Sequence, residues 1–466
     1  MSTDTDSRTE AGAPTPVCVT LSGGLLANDL LGEAALTLMK RRPSSILRLP
    51  GWLMRGRGTL NREVASRIGL EAEHLPYDQA CLRYLAAQRD AGRPVILVSD
   101  HDPSYSRSVA DHLGLFDDVV VLEDSGRGEV GQRLVERFGR GGFDFVTGAN
   151  PPAGMAQAAR QVLEAPRQER RPGWLLIARA LRVHQWLKNL LVFLPVLAAQ
   201  MFTEPGTLIR AVMAFFAFSF VASSVYVIND LLDLPEDRKH RSKRRRPFAS
   251  GELPIRTAPY LLAAMLGSAV ILCLFLPPAF AGVLLGYLVL TFAYSLKLKG
   301  AVLLDAITLA GLYSIRVIAG SAATDIEPSV WLLGFSLFFF MSLALVKRYA
   351  ELHRSISDGK LEEDTRLPGR SYQPGDLPVL VALGVGTGCM AVLVLALYVI
   401  SDEMSLHYRY PFLLWQLCPL VLYWLGRAWI VVSRDEMTDD PVVWAVKDQM
   451  SRWVAVIAVL ILVLAR

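Results

Sequence analysis

The chain has 466 residues, of which 52% are hydrophobic and 20% are charged, and its formal net charge is +4. The net charge means little as a total because the basic residues are concentrated in a few segments, and we expect no nucleic-acid partner. The five cysteines have no paired spacing. We therefore expect small buried hydrophobic side chains and neither a disulfide nor a zinc framework.

The first third of the chain has the pattern of a soluble domain. Residues 1–16 are rich in Ser, Thr, Asp, Gly and Pro, which predicts a disordered tail, and we expect no cleavable signal peptide. Within residues 17–150, we predict strands at 17–21, 93–99, 118–122 and 143–147. The helices predicted around them are 33–40, 80–91, 107–113 and 130–138. This alternation predicts an α/β domain with a parallel sheet.

Four segments of this domain resemble a known family. They are VCVTL at 17–21, GGLLANDLL at 23–31, the strand that ends in Ser99-Asp100, and LGLFDDVV at 113–120. Their order resembles the haloacid-dehalogenase-like phosphatases. Ser99 is similar to the Ser or Thr that binds phosphate in that family.

The catalytic residues of those phosphatases are missing. The resemblance implies two aspartates directly after the first strand, the first of them the nucleophile, but Thr20 and Ser22 stand there and no carboxylate follows until Asp29. The late acidic pair that completes the family's Mg²⁺ site is reduced to Asp144. Without the nucleophile no phosphoaspartyl intermediate can form. We therefore predict a degenerate, catalytically inactive scaffold or regulatory domain.

The region before the apolar half is predicted to be a linker and a surface helix. Residues 151–173 are rich in Pro, Ala, Gln and Arg, which is typical of a linker. Residues 174–186, WLLIARALRVHQW, are amphipathic and basic with a tryptophan at each end. That pattern predicts a helix lying along a membrane surface.

Apolar runs of near membrane-spanning length fill residues 174–466, which predicts an all-α polytopic membrane domain of nine transmembrane helices. The runs are about 187–202, 209–228, 258–276, 279–294, 302–321, 329–346, 378–400, 411–431 and 451–465. The loops after odd-numbered runs contain one Arg and no Lys, whereas the others are basic. The positive-inside rule then places the N-terminal domain and the basic loops in the cytoplasm, the C-terminus outside, and the protein in a bacterial inner membrane.

The segment that carries most chemical information is SSVYVINDLLDLPEDRKHRSKRRRPFASGELP, residues 223–254. Asp230, Asp233 and Asp237 are spaced i, i+3, i+7, so a helix places them on one face. A divalent cation makes such a cluster tolerable, and Mg²⁺ prefers a few carboxylates plus substrate phosphates. A basic cluster suited to phosphate follows at once: Lys239, Arg241, Lys243, Arg244, Arg245 and Arg246. The alternative is a charged loop that only sets membrane topology.

Other polar residues lie at the ends of apolar runs or inside them, where they are costly. Arg182, Gln185 and Asn189 have helical spacing and are expected to face one way. Arg316 interrupts the fifth run and indicates either an anion-binding residue facing the bundle interior or a structural ion pair. For Asp439-Asp440 we expect a helix cap or a solvated turn rather than a metal site. The remaining candidates are Lys188, Tyr294, Lys297, Asp305, Lys347, Arg348, Arg370 and Tyr372.

Long motifs in this half resemble the UbiA-type intramembrane transferase superfamily over about residues 175–466. They are NDLLDLPEDRKHRSKRRRPFASG from Asn229 and YSLKLKGAVLLD from Tyr294. RVIAG from Arg316 and KRYAEL from Lys347 are similar to the decaprenyl-phosphate phosphoribosyltransferases, a group that also includes chains with a dehalogenase-like N-terminal domain. Prenyl-transferring members carry a second Asp-rich motif, of which Asp305 alone stands here.

The resemblance implies transfer of 5-phosphoribose from phosphoribosyl diphosphate to a polyprenyl phosphate, and a homo-oligomer is compatible with it. The implied catalytic residues are Asp230, Asp233, Asp237, Lys243, Tyr294, Lys297 and Asp305, of which the first three would hold Mg²⁺. The implied substrate-binding residues are Arg182, Gln185, Lys188, Asn189, Asn229, Arg244, Arg246, Arg316, Lys347, Arg348, Arg370 and Tyr372.

Two other functions fit parts of the pattern. A prenyltransferase that acts on an aromatic acceptor would share the fold and the first Asp-rich motif. A transporter would carry polar residues through its spans on both leaflets, whereas here the basic residues cluster on one side.

Overall fold

The computed structural model describes residues 14–26, 28–69, 71–122, 129–148, 151, 154–166, 173–240, 242–359, 365–367, 369–401, 408–437 and 440–465. It contains two compact units. The first comprises Met1–Arg182 with Tyr226–Ala263, and the second comprises Val183–Val225 with Ala264–Arg466. The segment Tyr226–Ala263, which the sequence assigned to the membrane domain 174–466, thus packs with the N-terminal residues.

A five-stranded parallel sheet in the order β3-β2-β1-β4-β5 organises the first unit. The strands are Val17–Thr20 (β1), Val95–Ser99 (β2), Asp118–Val121 (β3), Asp144–Thr147 (β4) and Gln161–Glu164 (β5). Val17 and Val19 face one apolar cluster and Cys18 faces the other, because both faces of the sheet are covered. This explains why β1 and β2 are apolar except for their last residue. The parallel sheet and its four predicted strands are confirmed.

Helices lie between these strands and after the last of them. They are Leu30–Arg41 (α1), Leu49–Met54 (α2), Arg57–Ala65 (α3), Gln79–Asp90 (α4), Pro103–Leu113 (α5), Glu129–Phe138 (α6), Met155–Ala158 (α7) and Gly173–Ala180 (α8). The four predicted helices correspond to α1, α4, α5 and α6. The predicted linker at 151–173 is wrong in part, because α7 and β5 lie inside it. β5 is a short edge strand whose end residues Gln161 and Glu164 are exposed, so it lacks the apolar signal of a buried strand.

Asp144 occupies a different place from the one that the phosphatase resemblance implies. It begins β4 and pairs in register with Val17 at the start of β1, whereas Ser99 ends β2. Asp144 therefore lies at the amino ends of the parallel strands, whereas Ser99 lies at their carboxyl ends. Asp144 binds Arg160, with Nη2 and Oδ2 2.6 Å apart, and also binds Arg93.

Long apolar helices dominate the rest of the chain. In order, the helices are Leu194–Ala198 (α9), Pro205–Leu232 (α10), Leu234–Lys239 (α11), Ala258–Cys273 (α12), Pro278–Leu296 (α13), Leu304–Thr324 (α14), Val330–Ser357 (α15), Leu377–Ile400 (α16), Leu417–Ser433 (α17), Pro441–Lys447 (α18) and Gln449–Ala465 (α19). Among the described residues, seven helices are long and apolar enough to cross a membrane. The pair α18 and α19, bent by 83°, brings the number to eight if it forms one span.

The predicted number of nine spans is not confirmed. The first apolar run, about 187–202, forms a 3₁₀ helix at Val183–Phe193 and the short helix α9. Its apolar helical stretch, Val183–Ala198, is shorter than the other spans.

The predicted single helix at 174–186 is also wrong. α8 ends at Ala180, and Arg182 has a left-handed backbone with φ of +50° before the 3₁₀ helix begins. A non-glycine residue rarely adopts this conformation, and it is often found at functional sites. Because the chain turns at Arg182, this side chain no longer shares a helical face with Gln185 and Asn189.

Candidate active site

The Asp-rich motif is divided between two helices of different length. α10 ends at Leu232, Asp233 stands between the helices, and α11 begins at Leu234-Pro235. Proline lacks a backbone N–H and is tolerated in the first turn of a helix but not in its interior, so α10 cannot continue through Pro235. The prediction that all three carboxylates share one helix face is therefore wrong.

Two of the three carboxylates nevertheless converge. Nη1 of Arg246 lies 3.0 Å from Oδ1 of Asp230 and 2.5 Å from Oδ2 of Asp237. Arg182 donates from Nη2 to the same oxygen of Asp230 at 2.5 Å. Both carboxylate side chains are 3% exposed. Burial raises the pKa of Asp237, and the guanidinium of Arg246 opposes that rise.

Asp233 points elsewhere. Its Oδ1 lies 2.8 Å from Nζ of Lys40, which is also 2.9 Å from Glu236. Across the described parts of the chain, no group of three His, Cys, Asp or Glu side chains is arranged to hold a metal ion. Asp230 and Asp237 fit a hard divalent cation, since their oxygens already meet around one positive charge. Asp233 does not fit in this arrangement.

The basic segment after α11 is mostly open to solvent. Lys243 and Arg244 are exposed, and Arg246 is half-buried at the carboxylates. Arg241, part of the predicted phosphate-binding cluster, lies outside the described residues. Asn229, a predicted substrate-binding residue, is half-buried near the end of α10.

In the second unit, Arg316 on α14 is 5% exposed and is held by neutral groups. Its Nε donates to Oδ1 of Asn189 at 2.8 Å, and Asn189 donates to Ser219 at 2.9 Å. The guanidinium lies 5.1–5.6 Å from the ring centroids of three aromatic side chains. These neighbours differ from the carboxylate of a structural ion pair, which was the alternative interpretation of Arg316.

A close helix contact positions this pair of residues. A Cβ at Gly320 would collide with the backbone carbonyl of Val192. Gly320 lies one turn after Arg316 on α14. Its lack of a side chain therefore allows α14 to approach the 3₁₀ helix that carries Asn189.

A second charged cluster centres on Asp440, which sequence reasoning assigned to a cap or a solvated turn. It does cap α18, since its Oδ1 accepts from the backbone N–H of Val442 at 3.2 Å. Its Oδ2 also lies 3.1 Å from Nζ of Lys188 and 3.0 Å from Nζ of Lys347. Burial alone would raise the pKa of Asp440, but the two ammonium groups hold it well below its usual range.

An apolar cavity of about 290 Å³ borders Lys188. Its walls come from the 3₁₀ helix and from α9, α14, α15, α17 and α18, and include Leu187, Leu191, Tyr313, Phe340, Trp424 and Val442. A cationic group at the edge of an apolar cavity is the arrangement that an amphiphilic anion would require.

The third cluster surrounds Asp305, which is fully buried. Nε of Arg348 lies 2.6 Å from Oδ2 of Asp305, and the hydroxyl of Tyr372 donates to Oδ1 at 2.6 Å. Arg348 and Arg370 each donate to the hydroxyl of Tyr294 at 2.9 Å. The cluster thus joins five of the predicted site residues, from α13, α14, α15 and the loop before α16.

Two more predicted residues lie outside these clusters, in addition to Asp233, Asn229, Lys243 and Arg244 above: Lys297 is exposed, and Gln185 is half-buried. Asp440 and Ser219 contact predicted site residues, but the sequence did not predict either of them as a site residue. The signal for Asp440 was its position at the end of a polar loop beside an apolar helix, which capping explained equally well.

The model of the UbiA prenyltransferase family matches residues 191–464, more than half of the chain. The chain therefore belongs to this family and is an integral membrane protein. It is similar to protein y4nM of Sinorhizobium fredii, with 32% identity over 464 residues that cover 94% of this chain and 88% of y4nM. It is also similar to the nodulation protein NoeC of Azorhizobium caulinodans, with 33% identity over 60% of this chain and 89% of NoeC.

Two further similarities are to an enzyme and to a solved structure. The decaprenyl-phosphate phosphoribosyltransferase of Mycobacterium tuberculosis is 38% identical over 182 residues, which cover 38% of this chain and 60% of that enzyme. A solved structure of a UbiA homolog from Archaeoglobus fulgidus bound to GPP and Mg²⁺ is 16% identical, covers 62% of this chain and 97% of its own, and has a TM-score of 0.46.

Proposed function

We propose that this protein transfers 5-phosphoribose from phosphoribosyl diphosphate to a polyprenyl phosphate and releases diphosphate. An oxygen of the lipid phosphate attacks C1 of the ribose and forms the new C–O bond. The bond from C1 to the diphosphate oxygen breaks, and its electron pair leaves with diphosphate. The attacking phosphate is already an anion at neutral pH, so no strong general base is needed, and catalysis consists mainly of orientation and charge stabilisation.

The surroundings of Asp305 carry this proposal over prenyl transfer. At this position, where prenyltransferases have a second Asp-rich motif, the single carboxylate is fully buried and engaged by Arg348 and Tyr372. It is unsuited to a second metal ion. A site with one acidic motif and several cationic clusters suits a phosphorylated donor and an anionic lipid.

The charged clusters suggest which residues bind Mg²⁺ and which bind phosphate oxygens. Asp230 and Asp237 would hold Mg²⁺, with Asp233 joining them if it turns away from Lys40. When bound, Mg²⁺ neutralises the charge that develops on the leaving diphosphate. The arginines and lysine of the basic segment would bind phosphate oxygens, with Arg as a bidentate fork: Lys243, Arg244 and Arg246.

The donor's ribose and the lipid acceptor would be held by other residues. Tyr294, Lys297 and Asp305 would position the ribose ring, supported by Arg348, Arg370 and Tyr372. Lys188, with Arg182 and Gln185, would hold the lipid phosphate. The apolar cavity beside Lys188 would bind the first part of the polyprenyl chain. The partial similarity to decaprenyl-phosphate phosphoribosyltransferase supports this class of substrates.

We also propose that the N-terminal domain is a degenerate dehalogenase-like domain without hydrolase activity. At the carboxyl edge of its sheet, the polar side chains engage each other. The hydroxyls of Thr20 and Thr147 are 3.0 Å apart, and Ser22 lies 2.7 Å from His101. Ser99 accepts from Ser106 at 2.7 Å.

The membrane arrangement that we propose follows from the charge pattern. The bent pair α18 and α19 and the short stretch Val183–Ala198 would add two crossings to the seven long helices, giving nine. The basic loops and the N-terminal domain would lie on the cytoplasmic side of a bacterial inner membrane.

The deciding experiment supplies the purified full-length protein in lipid nanodiscs with two pairs of substrates. One pair is radiolabelled phosphoribosyl diphosphate with polyprenyl phosphate, and the other is radiolabelled prenyl diphosphate with an aromatic acid. We expect label to enter a phosphorylated lipid from the first pair, and excess EDTA to abolish this transfer. Prenylation of the aromatic acid, without phosphoribosyl transfer, would instead make the protein a prenyltransferase.

A further inference from the structure

A buried ion pair connects the N-terminal domain to the Asp-rich motif. Nη1 and Nη2 of Arg238, on α11, donate to the two carboxylate oxygens of Glu33, on α1, at 2.7 and 2.6 Å. Both side chains are 8% exposed. The two parallel hydrogen bonds fix the orientation of the guanidinium as well as its position.

Arg238 also holds the chain beyond the basic segment. Its Nε donates to the backbone carbonyl of Ala249 at 3.1 Å. One side chain therefore ties together α1, α11 and the loop that follows Arg246. Asp237 precedes Arg238 directly in α11 and binds Arg246 at the start of that loop. Any shift of α11 would consequently move Asp237 relative to Asp230.

Three neighbouring ion pairs connect α11 or the adjacent Asp233 to the N-terminal domain but are exposed to solvent, and one of them joins Lys40 to Glu236, with side chains 34% and 62% exposed. Lys239 and Glu71 are 2.6 Å apart with side chains 46% and 51% exposed, and Lys40 and Asp233 are 34% and 42% exposed. Solvent screens such pairs, so each stabilises little. Removing one partner of a buried pair instead leaves an uncompensated buried charge. Of the ion pairs named here between α11 and the N-terminal domain, the pair of Glu33 and Arg238 is therefore the buried one, and we expect it to contribute most to the position of α11.

We propose that Glu33 is a positioning residue for the transferase reaction, which holds α11 through Arg238 and so keeps Asp237 at Arg246 beside Asp230. This inference rests on the proposed function for its effect on catalysis. It gives the N-terminal domain a role that needs no phosphatase chemistry: the domain is a clamp on the acidic motif.

The test compares Glu33→Gln with Glu71→Gln in the full-length protein in nanodiscs. Glu71→Gln is the matched control, because it removes the exposed ion pair between Glu71 and Lys239, and Lys239 lies on α11 next to Arg238. Trypsin is a direct probe, since the basic segment 239–246 contains six Lys and Arg residues. We expect Glu33→Gln to raise the cleavage rate in this segment at least tenfold and to lower kcat at least tenfold, with little change in KM for the lipid. Glu71→Gln should stay within about twofold of the unmodified protein in both measurements.

The exchange variant Glu33→Arg with Arg238→Glu provides the rescue. It restores opposite charges, although it loses the bond to Ala249, and we expect it to recover part of the trypsin resistance and of kcat. Normal resistance in Glu33→Gln, or fast cleavage with normal kcat, would overturn the inference. An equal rise of cleavage at Arg93 or Arg107 would overturn it too, because Glu33 would then merely stabilise its own domain. If the unmodified protein transfers no phosphoribose, the proposed function fails, and the trypsin comparison still decides whether the clamp exists.

Discussion

Replacement of Asp305 by Asn distinguishes a buried ion pair from a second metal site. Asp305 and Arg348 both have side chains with no exposure, and their charged atoms are 2.6 Å apart. Removing one partner of a buried pair costs about 3–5 kcal/mol. For a unit of this size, 1 kcal/mol shifts the melting temperature by about 2–4 °C, so we expect Asp305→Asn to lower Tm by about 6–20 °C.

The assay is thermal unfolding of the full-length protein in nanodiscs, with and without Mg²⁺. Because Arg348 and Tyr372 already occupy the carboxylate, the loss should be the same in both conditions. The double variant Asp305→Asn with Arg348→Met should lower Tm by less than the sum of the single variants, since the two side chains contact each other and their interaction is then lost only once, although Glu351 also loses its ion pair with Arg348. An unchanged Tm without Mg²⁺, combined with a lost response to Mg²⁺, would show that Asp305 is a metal ligand and would refute this reasoning.

Three further predictions follow from other contacts. Asp230→Ala should abolish turnover and leave the protein folded, as measured by the labelled-donor assay and by circular dichroism; retained activity would remove the metal assignment. Gly320→Ala should cost about 1–3 kcal/mol in thermal unfolding through its collision with Val192, whereas the control Gly311→Ala, where the nearest atom is 3.9 Å away, should cost nothing. The hydrogen bonds from Arg160, followed by those from Arg93, hold the pKa of Asp144 below its ordinary value. Their stabilisation is present above the ordinary value of about 3.9 and is lost as the pH falls through the lower folded value. Calorimetry between pH 2 and 7 should therefore show that the Tm of Asp144→Asn falls less at low pH than the Tm of the unmodified protein. An equal fall in both proteins would contradict this prediction.

Local patterns carried most of the architecture. The buried strands β1 and β2 are apolar except for their last residue, and the long membrane helices are apolar over most of their length. Hydrophobic burial over a regular repeat leaves its signature within a few consecutive residues. Where that signature was weak, as in the edge strand β5, prediction failed.

The sequence could propose the residues of the candidate site but not their contacts. The Asp-rich motif, Arg316 and the Arg348 segment were visible because charges in or beside apolar runs require a reason. Their partners were not visible: Asp233 reaches Lys40, 193 residues away, and Asp440 reaches Lys188, 252 residues away.

The sequence by itself determined most of the helices that are long and apolar enough to cross a membrane, four of the strands of the parallel sheet, and the charged residues beside apolar runs, because each of these depends on the chemistry of neighbouring residues. The tertiary structure alone decided that Arg246 joins Asp230 to Asp237, that Asp440 joins two lysines, and that Glu33 holds Arg238. These contacts join residues from separate elements. Their strength depends on burial and on distances of about 3 Å, which only the packed chain defines.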